Sequence, residues 1–474
     1  MTTLLSETAR PAVIRGHRLA PWFAVGTVCF GAFMGQLDAS IVTVAFPALQ
    51  HRFGAGLAAV QWVSLAYLLA LIALLVPAGR WSDRVGRKLT YLYGFVVFAG
   101  ASAACGLAPS LGTLIALRVV QAAGAAMLQA NSVALVVTSV PGRMRRAALG
   151  VQAAAQAVGL ASGPVTGGVL VAAVGWRWVF LLNVPVGLVA VTAGRYLLPR
   201  TRRLARRKGA DPGGMILLAA STITGMLAIS SLSGLGLPAW AVAACAAVAA
   251  LAAAALRWQE RRSPAPLLDL RALAAGGTAP ALGGALCAYL VLFGPLVLFP
   301  QVVTARGGSA LAAGLLLTSL PAGFGLAAVA ADRLLPARWP NKRRCALGGG
   351  LAAGCAAALA VPAPDAVSVV LLGLLGAGLG IYTPANNAEI MAAIPATDAA
   401  AAGGMVNMTR GIGTALGVAV VTLGLHAGTA LRYPGAGPEL SMAALAVAAL
   451  AATWAGLRAG RQVPGTRPGG AAPR

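Results

Sequence analysis

The chain has 474 residues, of which 59% are hydrophobic and only 10% charged. Soluble domains are about half apolar and about a quarter charged, so this composition excludes a water-soluble globular protein. The net charge of +25 would suit a nucleic-acid binder if it formed one face, but nearly all the lysines and arginines fall between apolar runs, which excludes that class as well.

A membrane-crossing helix needs roughly 20 apolar residues. On that measure the chain predicts fourteen spans: 22–47, 60–79, 89–108, 111–138, 147–173, 178–198, 213–233, 238–257, 277–304, 310–334, 344–361, 366–394, 400–427 and 440–459. The expected architecture is an all-α integral membrane protein with two six-helix bundles, 22–198 and 277–459. Linkers over 199–276 carry an inserted helix pair, 213–257, and tails of 1–21 and 460–474 flank the whole.

Lysine and arginine favour the cytoplasmic loops. Arg10, Arg15 and Arg18 precede the first span, and Arg80, Arg84, Arg87 and Lys88 follow the second. Arg143, Arg145 and Arg146 follow the fourth, a run from Arg195 to Lys208 the sixth, Arg257, Arg261, Arg262 and Arg271 the eighth, and Arg333 to Arg344 the tenth. The opposite loops offer only Arg52, Arg177, Arg306 and Arg432. Both termini are therefore expected in the cytoplasm of a cell whose plasma membrane the chain crosses repeatedly. The twelfth connection, with Asp398 alone, is the exception. The opening residues are polar and the first apolar run is too long for a signal core. Six cysteines and three histidines are scattered without paired spacing, so neither a disulfide framework nor a metal site is expected.

Ionisable groups inside a bilayer are costly and mark paths for ions or substrates. Four lie well inside the spans: Asp38, Arg118, Glu389 and Arg410. At 1.5 Å per residue, Asp38 lies roughly 14 Å and Arg118 about 10 Å below the outer ends of helices 1 and 4, so the two can meet. Burial favours a neutral acid and a neighbouring guanidinium favours the carboxylate. Such balance suits proton coupling; a static ion pair between helices 1 and 4 is the other reading. Glu389, beside Asn386 and Asn387, fits either a second carboxyl facing a cavity or an acid reaching back to the interface. Arg410 has no acid within its own helix and either pairs with Glu389 or attracts an anionic substrate group. In helix 5, Ala155, Gly159, Gly163 and Gly167 recur every four residues beside Pro164 and Gly168. A stripe of small residues lets helices approach closely, as a moving seal or as a fixed contact.

The segment 79–88, GRWSDRVGRK, resembles the signature loop between helices 2 and 3 of the major facilitator superfamily, through Gly79, Asp83, Arg84, Gly86, Arg87 and Lys88. Asp332-Arg333 echoes it weakly in the second half. LDASIVTVAFP at 37–47 is similar to the first-helix motif of the fourteen-helix drug:proton antiporter branch. RVVQAAGAA at 118–126 resembles its fourth-helix motif through Arg118, Gln121 and Gly124, although Ala122 replaces the usual glycine. GLASGPVTGG at 159–168 matches the antiporter motif of helix 5, with WRWVFLLNVPVG at 176–187 and GMVNMTRGIGTALGVAV at 404–420 similar to later segments.

The resemblance implies two bundles rocking about a central site, a gating loop that latches the cytoplasmic side, and a proton-coupling acid at Asp38 with Arg118. It implies export of small amphipathic compounds such as drugs, antibiotics or secondary metabolites. Gln121, Asn386, Asn387, Glu389 and Arg410 are candidates for the substrate or a second proton. The expected partners are the lipid bilayer, the substrate and protons; the energy source is the proton gradient, with no cofactor, no nucleic acid and a functional monomer. Helix 13 has no carboxylate, which disfavours dicationic substrates. A dedicated carrier of one metabolite is the rival reading, and a membrane enzyme a remote one, since no metal-spaced cluster or nucleophile motif occurs.

Overall fold

The computed structural model describes residues 7, 10–201, 211–231, 238–263, 278–307, 310–394, 396–430 and 436–459. The basic run 202–208, Arg271, Arg432 and the tail 460–474 lie outside the described residues. Those described form helices and connecting turns, with no strand.

The long helices are α1 Ala20–Val44, α2 Leu57–Val85, α3 Arg87–Gly106, α4 Leu111–Ser139, α5 Arg145–Ala173 and α6 Asn183–Leu197. They continue with α7 Pro212–Ser230, α8 Ala239–Arg262, α9 Thr278–Ala305 and α10 Ala310–Leu334. The last four are α11 Asn341–Ala358, α12 Asp365–Ala393, α13 Ala399–Ala430 and α14 Ala436–Arg458. Among the described residues, 13 helices are long and apolar enough to cross a membrane, the sixth taken over Arg177–Leu197 with the short helix that precedes α6. The remaining one, α11, has 18 residues and opens on Lys342, Arg343 and Arg344, a charge load that sets it apart from the apolar spans.

Local sequence explains several boundaries. The first predicted span breaks at Ala45, and Pro47 sits in the first turn of a separate helix, Phe46–Phe53. A proline there costs no hydrogen bond, because the first amides of a helix have no partner within it. Ser110 caps α4 by accepting from the Thr113 amide at 3.2 Å. Asp211 caps α7 through the Gly214 amide and also accepts from Gln259 Nε2 at 2.7 Å, so the start of α7 is tied to the end of α8. At Gly86 the backbone has φ +126°, open to glycine and rarely to other residues, which allows α2 to turn directly into α3.

Helix α1 packs on α5, α4 and α6; α3 packs on α4 and α6; and α2 packs on α4. In the second half, α9 packs on α13 and α14, α10 on α12, and α11 on α12 and α14. Contact between the halves runs through α2 with α13, α4 with α13, and α5 with α10 and α12. The α7–α8 pair lies at the periphery, α7 against α2 and α13 and α8 against α7. Accordingly α8 buries only Ala252, Leu256 and Glu260, one side chain per turn on one face. Large apolar side chains such as Val165, Leu188, Trp240 and Leu251 point outward, as a lipid-facing surface requires. Arg262 lies 4.0 Å over Trp258 and Arg458 3.9 Å over Trp454, pairings of the kind found where helices leave the hydrocarbon.

Candidate functional site

Asp38 is fully buried among α1, α3, α4 and the start of α6. Arg118 Nη1 donates to Asp38 Oδ2 at 2.7 Å. Gln121 Nε2 donates to the other oxygen at 2.9 Å, and Asn183 Nδ2 to the same oxygen at 3.2 Å. Ser102 Oγ accepts from both amides, at 2.6 and 3.2 Å. The guanidinium is satisfied elsewhere as well: Nε donates to the Val63 carbonyl at 3.1 Å, Nη1 also reaches Gln121 Oε1 at 2.6 Å, and the plane lies 4.0 Å over the Tyr67 ring. A buried ion pair offsets its desolvation only with such hydrogen bonds around it. Gln121 thus belongs to the acid's own cluster, whereas Asn183 and Ser102, both missed in the sequence, complete it.

A cavity of about 350 Å³ lies beside this cluster, between the two halves. Its walls are mainly apolar, with Leu68, Ile72, Met226 and Phe293 prominent. Arg118 and Tyr67 line it and Asp38 does not, so the pair stands between the acid and the cavity. Met226 and Ser230 of α7 also reach its wall.

Arg410 lines the cavity from α13, and only 4% of its surface is exposed. It does not meet Glu389, whose carboxylate accepts from Asn341 Nδ2 at 2.8 Å. Of the two readings of Arg410, the pair with Glu389 is not formed, because each side chain is engaged in a different place. Asn386 donates to the Ala281 carbonyl at 2.8 Å, and Asn386, Asn387 and Glu389 line no part of the cavity.

The α2–α3 loop is bound to the other half. Asp83 Oδ1 accepts from the Ala400 amide at 3.1 Å and Oδ2 from the Ala401 amide at 2.9 Å, so the carboxylate sits on the N-terminus of α13. An anion is stabilised there by free amides and the helix dipole. Arg87, from the same half, pairs with Asp83 at 2.7 Å, and Arg80 bridges to Asp398 at 2.7 Å. Gly79 is needed for the close approach, since a β-carbon there would collide with the Ala400 backbone. Lys88 donates to the Arg195 and Leu198 carbonyls at 2.7 and 3.0 Å, closing the end of α6. Arg84 is half-buried in the last turn of α2. Charge is also buried outside the four groups read inside the spans: Asp83, Arg87 and Lys88 around this loop, and Arg344 in α11, are each under 5% exposed. A second cross-half contact joins Asp332 at the end of α10 to Arg146 at the start of α5, at 3.1 Å.

On α5, β-carbons at Gly159, Gly163 and Gly167 would press on Phe33, Ser40 and Ile41 of α1. Gly168 faces open space and Pro164 is exposed, so the stripe has three working glycines and its seam is α1–α5.

Residues 28–418 match the sequence profile of the Major Facilitator Superfamily. The chain belongs to this superfamily. It is a multi-pass membrane transporter and not an enzyme. It is 32% identical to the methylenomycin A resistance protein of Streptomyces coelicolor over 90% of this chain and 91% of that one. It is also 32% identical to the drug efflux pump JefA of Mycobacterium tuberculosis (82% and 77% covered), and 28% identical to the riboflavin transporter RibZ of Clostridioides difficile (84% and 87%). Among solved structures, the human organic anion transporter MFSD10 shares the fold with a TM-score of 0.67 at 14% identity, covering 92% of this chain and 99% of that one.

Proposed function

We propose that the protein is a proton-coupled antiporter that exports small amphipathic organic compounds, such as drugs, antibiotics or secondary metabolites, across the plasma membrane. Fourteen spans form two six-helix bundles with α7 and α8 inserted between them, both termini are cytoplasmic, and the monomer is the working unit. The proton gradient supplies the energy, and no cofactor takes part.

The observation that carries this reading is a buried acid bonded to an arginine that itself lines an apolar cavity. Protonation of Asp38 removes the counter-charge of Arg118, so the hold on the guanidinium at the cavity wall weakens and the α1–α4 contact loosens. Deprotonation restores the pair. The conformation described has the Asp83 latch engaged; if that face is cytoplasmic, it is the state from which substrate departs outward. Resistance and efflux relatives of similar length support the export direction. The riboflavin transporter supports the second reading, a carrier dedicated to one metabolite.

Asp38→Asn keeps a side chain of the same shape but cannot cycle a proton. In proteoliposomes it is expected to abolish substrate movement driven by a pH gradient while counterflow exchange persists. Gradient-driven transport at the wild-type rate refutes the role.

A further inference from the structure

Two guanidiniums face the cavity, and they differ in one respect. Arg118 is neutralised by Asp38 at 2.7 Å. Arg410, 96% buried by the 4% exposure given above, forms no ion pair among the described residues. Its Nη1 donates to Asn407 Oδ1 at 3.2 Å, its plane lies 4.9 Å over the Tyr289 ring, and its Nε is buried without a hydrogen-bond partner. Among the described residues, no acidic side chain lines the cavity.

A buried cation without a counter-charge is costly. Here the side chain is held in place: Asn407 is itself anchored by donating to the Gln129 carbonyl at 2.8 Å, and Tyr289 supports one face of the guanidinium. Arg410 lines a space walled by Leu68, Ile72, Met226 and Phe293. A fixed cation with spare donors at the edge of an apolar chamber is complementary to a molecule with an acidic group at one end and an apolar body behind it.

We propose that Arg410 is the anion-binding subsite of the transport cavity, and that the substrate class is amphipathic organic acids carrying a carboxylate or comparably acidic group. The apolar body lies against Leu68, Ile72 and Met226, and the acid pairs with the Arg410 guanidinium. This rests on the cavity being the transport site, as proposed above; it does not depend on proton coupling or on the direction of transport.

The test uses two fluorescent probes of nearly equal shape, dansylglycine and its neutral amide, with purified protein in detergent at neutral pH and no gradient. Wild type is expected to bind the acid at least about tenfold more tightly than the amide, the size of one charge-assisted hydrogen bond. Arg410→Gln is expected to erase that preference, chiefly by weakening the acid, and Arg410→Lys to restore part of it. Equal binding of the two probes by wild type, binding of neither, or a preference that survives in Arg410→Gln overturns the proposal. The wild-type comparison needs no variant, so it stands even if a substitution disturbs folding. Because binding is read at equilibrium, the subsite can fail while gradient-driven export holds, and the converse.

Discussion

Replacing Asp83 by asparagine tests whether the contact at the start of α13 holds one face of the transporter shut. Only interactions that differ between two conformations shift the balance between them. The Asp83–Arg87 pair lies within one half and travels with it, so its loss weakens both conformations alike. The bonds from the Ala400 and Ala401 amides, at 3.1 and 2.9 Å, cross between halves and exist only when this face is closed. Hydrogen bonds to a charged group contribute about 1.5–3 kcal/mol each, and the helix terminus adds about 0.3–1 kcal/mol. Asparagine keeps one neutral acceptor, which offsets about 1 kcal/mol and leaves a net loss of at least roughly 2 kcal/mol, or about 30-fold or more toward the open state. Arg80–Asp398 at 2.7 Å remains as a residual latch. Spin labels at the exposed positions Arg143 and Arg338, one in each half on this face, in a background with the six cysteines replaced, report the change by electron double resonance. A distance distribution identical to that of the Asp83 protein refutes the latch.

Two further substitutions separate packing from selectivity. Gly163→Leu is expected to lower the melting temperature by several degrees and to abolish transport, because a β-carbon there already lies 2.7 Å from Ser40 Cβ and 3.1 Å from the Ile41 amide, and overpacking costs about 1–3 kcal/mol. Gly168→Ala, with nothing within 4 Å, is the control, and equal damage from both removes the case for a special α1–α5 seam. Met226→Trp fills cavity space from α7 and is expected to raise the KM of a bulky substrate about tenfold more than that of a small one; uniform effects on substrates of different size in a vesicle transport assay count against α7 as a wall.

The membrane class was legible from the apolar runs, and so were the acid–arginine pair and the loop that binds across. The pair depends on charges whose cost in lipid makes them conspicuous in a chain this apolar, and the loop on its resemblance to the superfamily's signature motif. Asn183 and Ser102 carried no such signal: neutral amides and hydroxyls are common in membrane helices, and only the folded arrangement brings α3 and α6 against Asp38. Glu389 is the converse case. Its position inside a predicted span left a cavity-facing carboxyl and an acid reaching back to the interface equally open, and the structure engages it with Asn341 in the first turn of α11, away from the cavity. That α7 reaches the cavity was hidden because Met226 and Ser230 lie in a run without charge or periodic polarity, and which of its faces is buried depends on the gap between α2 and α13.

Exchange of a proton for a substrate requires that occupancy of one site be felt at the other. The two charged centres on the cavity wall are joined by one rigid element. Helix α4 carries Arg118 and, three turns further on, Gln129, whose carbonyl accepts from Asn407 Nδ2 at 2.8 Å; Asn407 in turn accepts from Arg410. In the proposed mechanism, a shift of α4 that separates Arg118 from Asp38 would also carry Gln129, and with it the residue that orients Arg410. The same displacement acts on α1, and from α1 through the tight glycine seam on α5, whose first turn holds Arg146 against Asp332. Both routes end at contacts that cross between the halves. Under the proposed proton coupling, a side-chain event confined to the first half would thus alter the grip on the second; as a purely static ion pair, Asp38–Arg118 would leave both contacts unchanged.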